Sequence, residues 1–150
     1  MYLFLKLLHV MAVVAFLGNI GIGVFWEAHA ARTKDPRLIA HVMEGIIRSD
    51  RWFTNPGAIL IVVFGVWGAI VGHHPIMRTD WILGSIVLFA VSGVVFGVRL
   101  VPLQRKMLAA AKAGDLGAYE GHARSWKLWG AIALIAPLLA MVLMVLKPSR

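Results

Sequence analysis

The sequence predicts an all-α fold: a polytopic membrane protein built as a bundle of four transmembrane helices, with an additional amphipathic cytoplasmic helix. Three observations lead there. Four apolar stretches, Leu3–Trp26, Pro56–Gly72, Trp81–Leu103 and Trp126–Leu146, make up most of the chain. A hydrocarbon core about 30 Å thick needs about 20 apolar residues of helix. Basic residues collect between the stretches rather than inside them. Finally, 60% of the 150 residues are hydrophobic, more than a soluble chain of this length can bury. One domain over residues 1–150 follows, with spans at about 3–31, 56–74, 81–103 and 126–147.

The start, Met1 to Lys6, has some likeness to a signal peptide. The apolar run after it is too long for one and carries His9 and Asn19, so it reads as a retained span. Its periodicity continues through Phe25 and Trp26 to Ala31, so this helix should project from the membrane. Asp35-Pro36 reads as an N-cap followed by proline at the first helical position. Leu38, Ile39, Val42, Met43, Ile46 and Ile47 recur at i, i+3 and i+4 spacing. That predicts the amphipathic helix, lying on the inner membrane face or under the bundle. Thr54 or Asn55 can cap the second span, Pro56 opens it and Pro75 closes it. Asp80 can cap the third span. Pro102 is expected to end or kink it, and Pro137 to kink the fourth. Gly114 to Gly117 reads as a turn.

Orientation follows from Lys and Arg. Eleven lie in the Glu27–Asn55 and Arg99–Lys127 segments, against Lys6, Arg78, Lys147 and Arg150 on the other side. The positive-inside rule places both segments in the cytoplasm and both termini outside, in the periplasm of a bacterial inner membrane. The net charge of +8 therefore serves topology, and nucleic acid is rejected as a partner. The lipid bilayer is the expected partner, with a redox protein or a second copy of the chain beside it. The absence of cysteine excludes disulfides, thiolate metal sites and iron–sulfur clusters.

In the second span Gly57, Gly65, Gly68 and Gly72 share one face, and Gly93 and Gly97 make a similar pair in the third. Such faces suit close helix packing or a flat ligand. Polar residues inside a membrane each need an explanation. His9 sits two turns into the first span, and His73 near the end of the second. Antiparallel neighbours bring those ends to the same side, so His9 and His73 are candidate metal ligands, as axial ligands of a b-type haem. The alternative is an interfacial His73 and a His9 hydrogen-bonded to a neighbouring helix. Glu27 is expected to pair with Arg99 or Arg105. His29, His41 and Glu44 form a weaker metal set by ligand type alone. Ser85, Ser92 and Arg99 stand at heptad spacing. The serines suit interhelical hydrogen bonds, and Arg99 either snorkels or offers a counter-charge to a haem propionate. Asn19 reads as an interhelical hydrogen-bonding residue.

Leu5-Lys6-Leu7-Leu8-His9-Val10, with His29 beyond the aliphatic run, resembles the first helix of the CopD/HemJ group of small bacterial membrane proteins. Arg51-Trp52-Phe53-Thr54-Asn55-Pro56-Gly57-Ala58-Ile59 resembles that group's entry to the second helix. Trp129 to Pro148 is similar to an uncharacterised family of predicted integral membrane proteins nearby. The resemblance covers most of the chain. It implies that His9 aligns with a functional histidine of the haem-binding protoporphyrinogen oxidases, and His29 loosely with a second. Those oxidases carry a lysine and a histidine in the third helix. Here Ser85 stands near the lysine position, and Phe89 to Ser92 holds no histidine. The seven methionines are scattered, unlike a copper-binding cluster. The resemblance thus implies the haem-binding scaffold more than the oxidase reaction. The expected function is a small b-type haem protein serving electron transfer or a membrane oxidoreductase, with His9, His73, His29 and Arg99 as cofactor-binding candidates. The alternative is a non-catalytic accessory or structural subunit without cofactor. A transporter has less support, since only Asn19, Ser92 and Pro137 mark the mid-membrane region.

Overall fold

The computed structural model describes residues 1–148 as six α-helices. They are α1 (Tyr2–Thr33), α2 (Pro36–Ser49), α3 (Asn55–Val71), α4 (Asp80–Val95), α5 (Val101–Lys112) and α6 (Leu116–Leu146). A π turn at Asp50–Thr54 joins α2 to α3, and another at Phe96–Leu100 joins α4 to α5. Four long helices result, each long and apolar enough to cross a membrane. No strand occurs among the described residues. The chain is an all-helical integral membrane protein.

Exposed apolar side chains mark the lipid-facing band. On α1 they end at Trp26 and resume at Trp52; on the third long helix they end at Val98 and resume on α6 at Leu128. Between those limits Leu38 is the one large hydrophobic residue exposed. All four long helices therefore continue past the band into a helical head. Two tight turns, at Lys34–Asp35 and Ala113–Asp115, close it. Met1, Pro148 and the Gly72–Thr79 connection lie at the opposite, terminal end.

The head has its own core. Ile39, Met43 and Ile46 of α2 meet Ala30 of α1, Met107 and Ala111 of α5, and Tyr119 and Ala123 of α6. Met43 and Met107 are fully buried, and burying such a side chain contributes about 1.5–3 kcal/mol. The amphipathic helix is thus not a separate element lying on the membrane. Its apolar face is covered by protein, because the π turn carries α2 into the second span without a break. The Arg99–Lys127 segment, read above as a basic connection, supplies α5 and the start of α6.

Prolines account for the two π turns. Pro56 and Pro102 each stand two residues after a π turn ends. Proline lacks an N–H, and its ring crowds the carbonyl four residues back. One extra residue in the turn relieves that contact while the helix goes on. Pro102 therefore neither ends nor breaks its helix, and α6 continues through Pro137. Thr54 stands before α3 but makes no capping hydrogen bond, because the π turn leads into α3 without a break. Asp35 does cap α2, accepting from Arg37 N–H at 2.9 Å. Asp115 likewise accepts from Ala118 N–H at 2.9 Å to cap α6. Asp80 is the first residue of α4 rather than its cap, where its charge faces the positive end of the helix dipole.

Within the band the helices form two pairs, α1 with α3 and α4 with α6. The glycine face of α3 receives α1. A Cβ at Gly57 would lie 3.5 Å from Phe16, at Gly65 3.0 Å from the His9 ring, and at Gly72 2.8 Å from Tyr2. A helix, not a flat ligand, fills that face. Gly93 and Gly97 would meet nothing within 4 Å, so the second glycine pair brings no helix close. In the other pair Ser85 donates to Ala140 O at 3.1 Å and Ser92 to Ala133 O at 2.6 Å. Gly65→Leu should force α1 off α3 and lower stability by about 1–3 kcal/mol, as overpacking does. Gly18→Leu, where a side chain meets open space, should stay within about 0.5 kcal/mol of wild type. Thermal unfolding in detergent compares them, and equal losses would place the α1–α3 contact elsewhere.

Candidate functional site

The π turn at Asp50–Thr54 decides which side chains turn inward. Asp50 and Thr54 are buried, while Arg51, Trp52 and Phe53 between them face outward. Trp52 and Phe53 sit at the band's edge, where aromatic rings suit the lipid–water interface. Inside, Thr54 Oγ1 donates to Asp50 Oδ1 at 2.6 Å. Asn19 of α1 donates through Nδ2 to Asp50 Oδ1 at 3.2 Å and to Thr54 Oγ1 at 2.9 Å. Gln104 of α5 donates through Nε2 to Asp50 Oδ2 at 2.7 Å. Three neutral donors from three long helices thus converge on one carboxylate.

These groups border a chamber of about 90 Å³ where all four long helices meet. Asn19, Asp50, Thr54, Gln104, Ser92 and Trp126 line it, with apolar side chains between them. Trp126 is 6% exposed, and its Nε1–H finds no acceptor among the described residues. A buried donor without a partner costs about 1–3 kcal/mol. Sequence reading found Asn19 and its interhelical role but missed Asp50 and Gln104. The signal was present: an amide in mid-span needs a polar partner, and Asp50 and Thr54 open the next span.

A second buried polar group lies in the head. Glu27 is fully buried. Tyr119 donates to its Oε1 at 2.8 Å, and Lys127 Nζ stands 3.2 Å from Oε2, an ion pair without hydrogen-bond geometry. Glu27 therefore pairs with Lys127 rather than Arg99 or Arg105. Burial, then the Glu27 hydrogen bond and charge, push the Tyr119 hydroxyl far above its ordinary range, so it stays a donor.

The histidines are scattered by comparison. His9 Nδ1 lies 2.8 Å from Ile61 O. A carbonyl only accepts, so Nδ1 carries the proton and Nε2 keeps a free lone pair. His73 is exposed in the connection after α3, with φ of 54°. No contact joins it to His9, whose neighbours are Ile61 and Gly65, not Gly72. His29 is exposed beside Phe25 and Trp26. It lies on the same unbroken helix as His9, about 30 Å away by helical rise. Arg99 is exposed, with its guanidinium 5.0 Å above the Trp129 ring. The extra residue of the second π turn rotates Arg99 off the serine face and puts Leu100 there. Glu44 of the weaker metal set pairs with Lys112 at 2.6 Å, which holds its carboxyl below the usual range. No group of three metal-ligating residues occurs among the described residues.

The hydrogen bonds around Asp50 should act as a unit. Thr54→Val and Gln104→Leu should each lower stability by about 1–3 kcal/mol, by leaving carboxylate oxygens short of donors. The double variant should lose clearly less than the two losses added. Unfolding in detergent measures this, and strict additivity would mean the two donors act independently.

No curated protein and no solved structure matches the chain. Over residues 3–148 it matches the family described as "Predicted integral membrane protein (DUF2269)". The breadth of that match agrees with four membrane-crossing helices, and the chain belongs to this family of predicted integral membrane proteins.

Proposed function

We propose that this is a small b-type haem protein of the bacterial inner membrane, serving electron transfer or a membrane oxidoreductase. The observation that supports it most is the setting of His9. A metal-bound imidazole commonly donates its other N–H to a carbonyl, which fixes the tautomer and aims the ligating nitrogen. His9 Nδ1 meets Ile61 O in that manner, and Nε2 is left without a partner. Gly65 lets the ring lie against α3. These residues fit a histidine ligand to haem, and His9 Nε2 would hold the iron. Bound haem b would supply a one-electron couple. His73, at the same end of the bundle, is the proposed second ligand. Arg99 stands where the band meets the head, away from the end that carries His9, so it would not serve a propionate of that haem.

The same bond favours a second reading. It also completes a clasp between α1 and α3, as an accessory or structural subunit without cofactor would need. The visible spectrum of protein purified from haem-replete cells separates the two. A Soret band with split reduced bands, lost in His9→Ala and His73→Ala but kept in His29→Ala, is the expected result. A colourless wild-type preparation would favour the structural subunit, and a retained Soret band in His9→Ala would remove the ligand assignment.

We also propose periplasmic termini, from the eleven basic residues gathered toward the head. A reporter fused after Arg150 should be active only if it functions in the periplasm. Cytoplasmic reporter activity would reverse the orientation.

A further inference from the structure

We infer that the chamber beside Asp50 is a binding site for one monovalent metal cation, held with water by carboxylate and amide oxygens. The charge balance supports this first. The Asp50 carboxylate forms no ion pair among the described residues. Its three protein partners, Asn19, Thr54 and Gln104, are neutral, and all donate to it. Such an arrangement suits a charged carboxylate, since an acceptor-only group takes every donor offered. A buried carboxylate at the edge of a membrane needs a compensating positive charge. None pairs with it among the described residues, and a bound cation can supply one.

The donor inventory points the same way. Asn19 and Gln104 commit their NH₂ groups to Asp50, so Asn19 Oδ1 and Gln104 Oε1 remain acceptors without a protein donor. Ser92 donates its hydroxyl hydrogen to Ala133 O and also keeps an accepting oxygen. Set in a mostly apolar lining, these few oxygens are hard atoms, the ligands that alkali and alkaline-earth cations prefer. With a single carboxylate among them, the charge matches a monovalent ion better than a divalent one. Trp126 is the exception, a buried N–H with no acceptor. A water bound to the ion would give it one. Size agrees as well. The chamber of about 90 Å³ has room for an ion with water.

The test uses the full chain purified in detergent, free of Na⁺ and K⁺, with N-methylglucamine as the replacement cation. Radioactive Na⁺ and Rb⁺ (the latter standing for K⁺) measure binding directly. Thermal unfolding is followed as NaCl or KCl replaces N-methylglucamine chloride at constant ionic strength. For one or both ions the expected result is saturable binding of one cation per chain. The melting temperature should then rise with the logarithm of that ion's concentration, by several degrees per hundredfold. Asp50→Asn should abolish both effects. Trp126→Phe, which keeps the ring and removes the N–H, should weaken binding severalfold without abolishing it. No saturable binding of either ion to the wild-type protein would overturn the inference, whatever the variants do. So would binding that survives undiminished in Asp50→Asn. A melting temperature that responds to pH but to neither cation would identify the compensating charge as a proton and also overturn it.

Discussion

The satisfaction of backbone polar groups inside the membrane constrains everything else in this protein. Hydrocarbon offers no partner to a broken helix, so a spanning segment cannot simply stop at a proline. Pro56 and Pro102 both fall where the chain crosses between head and lipid band. At each, the helix widens into a π turn and continues. Had it ended there, α2 and α5 would be separate elements free to lie on the membrane surface. Instead they stand on the second and third spans and build a head with a buried core of its own. The widened turn at Asp50–Thr54 also brings a carboxylate and a hydroxyl inward together, and π turns recur at functional sites for that kind of reason.

Much of this architecture is legible in the residues. Apolar length gives the four crossings, and Asp35-Pro36 gives the start of α2. The glycines of α3 give the close approach of α1, and the serines of α4 give bonds to α6. The course of the chain through the prolines is not legible, because a local rule says only that proline disturbs a helix. Whether the helix breaks or widens depends on what packs on either side. Here Met43 and Met107 reward continuation by filling a shared core. The same turn explains why heptad spacing failed at Arg99: one added residue changed the face. Asp50 was hidden for a related reason. It sits beside Arg51 in a basic segment and looks like a surface residue until α1 and α5 are set against it.

The buried polar groups lie in order along the long axis. His9 meets α3 inside the band, Asp50 sits at the boundary, and Glu27 lies within the head. Ile61, the partner of His9, and Asp50 are about 16 Å apart along the second long helix by helical rise. Each group is held by partners from other helices, Ile61 for His9, Asn19 and Gln104 for Asp50, Tyr119 and Lys127 for Glu27. These contacts therefore set the helices' relative heights more sharply than aliphatic packing, which tolerates sliding.

The pairing of α1 with α3 and of α4 with α6 gives the molecule the mechanics of tweezers. The two arms reach through the lipid, and the head, where all four helices share one core, is the pivot. The tips are joined by the Gly72–Thr79 connection, and midway along the arms the Phe16 and Phe89 rings meet at 5.6 Å. The Asp50 chamber lies where that lever turns, between Asn19 on one arm and Ser92 on the other.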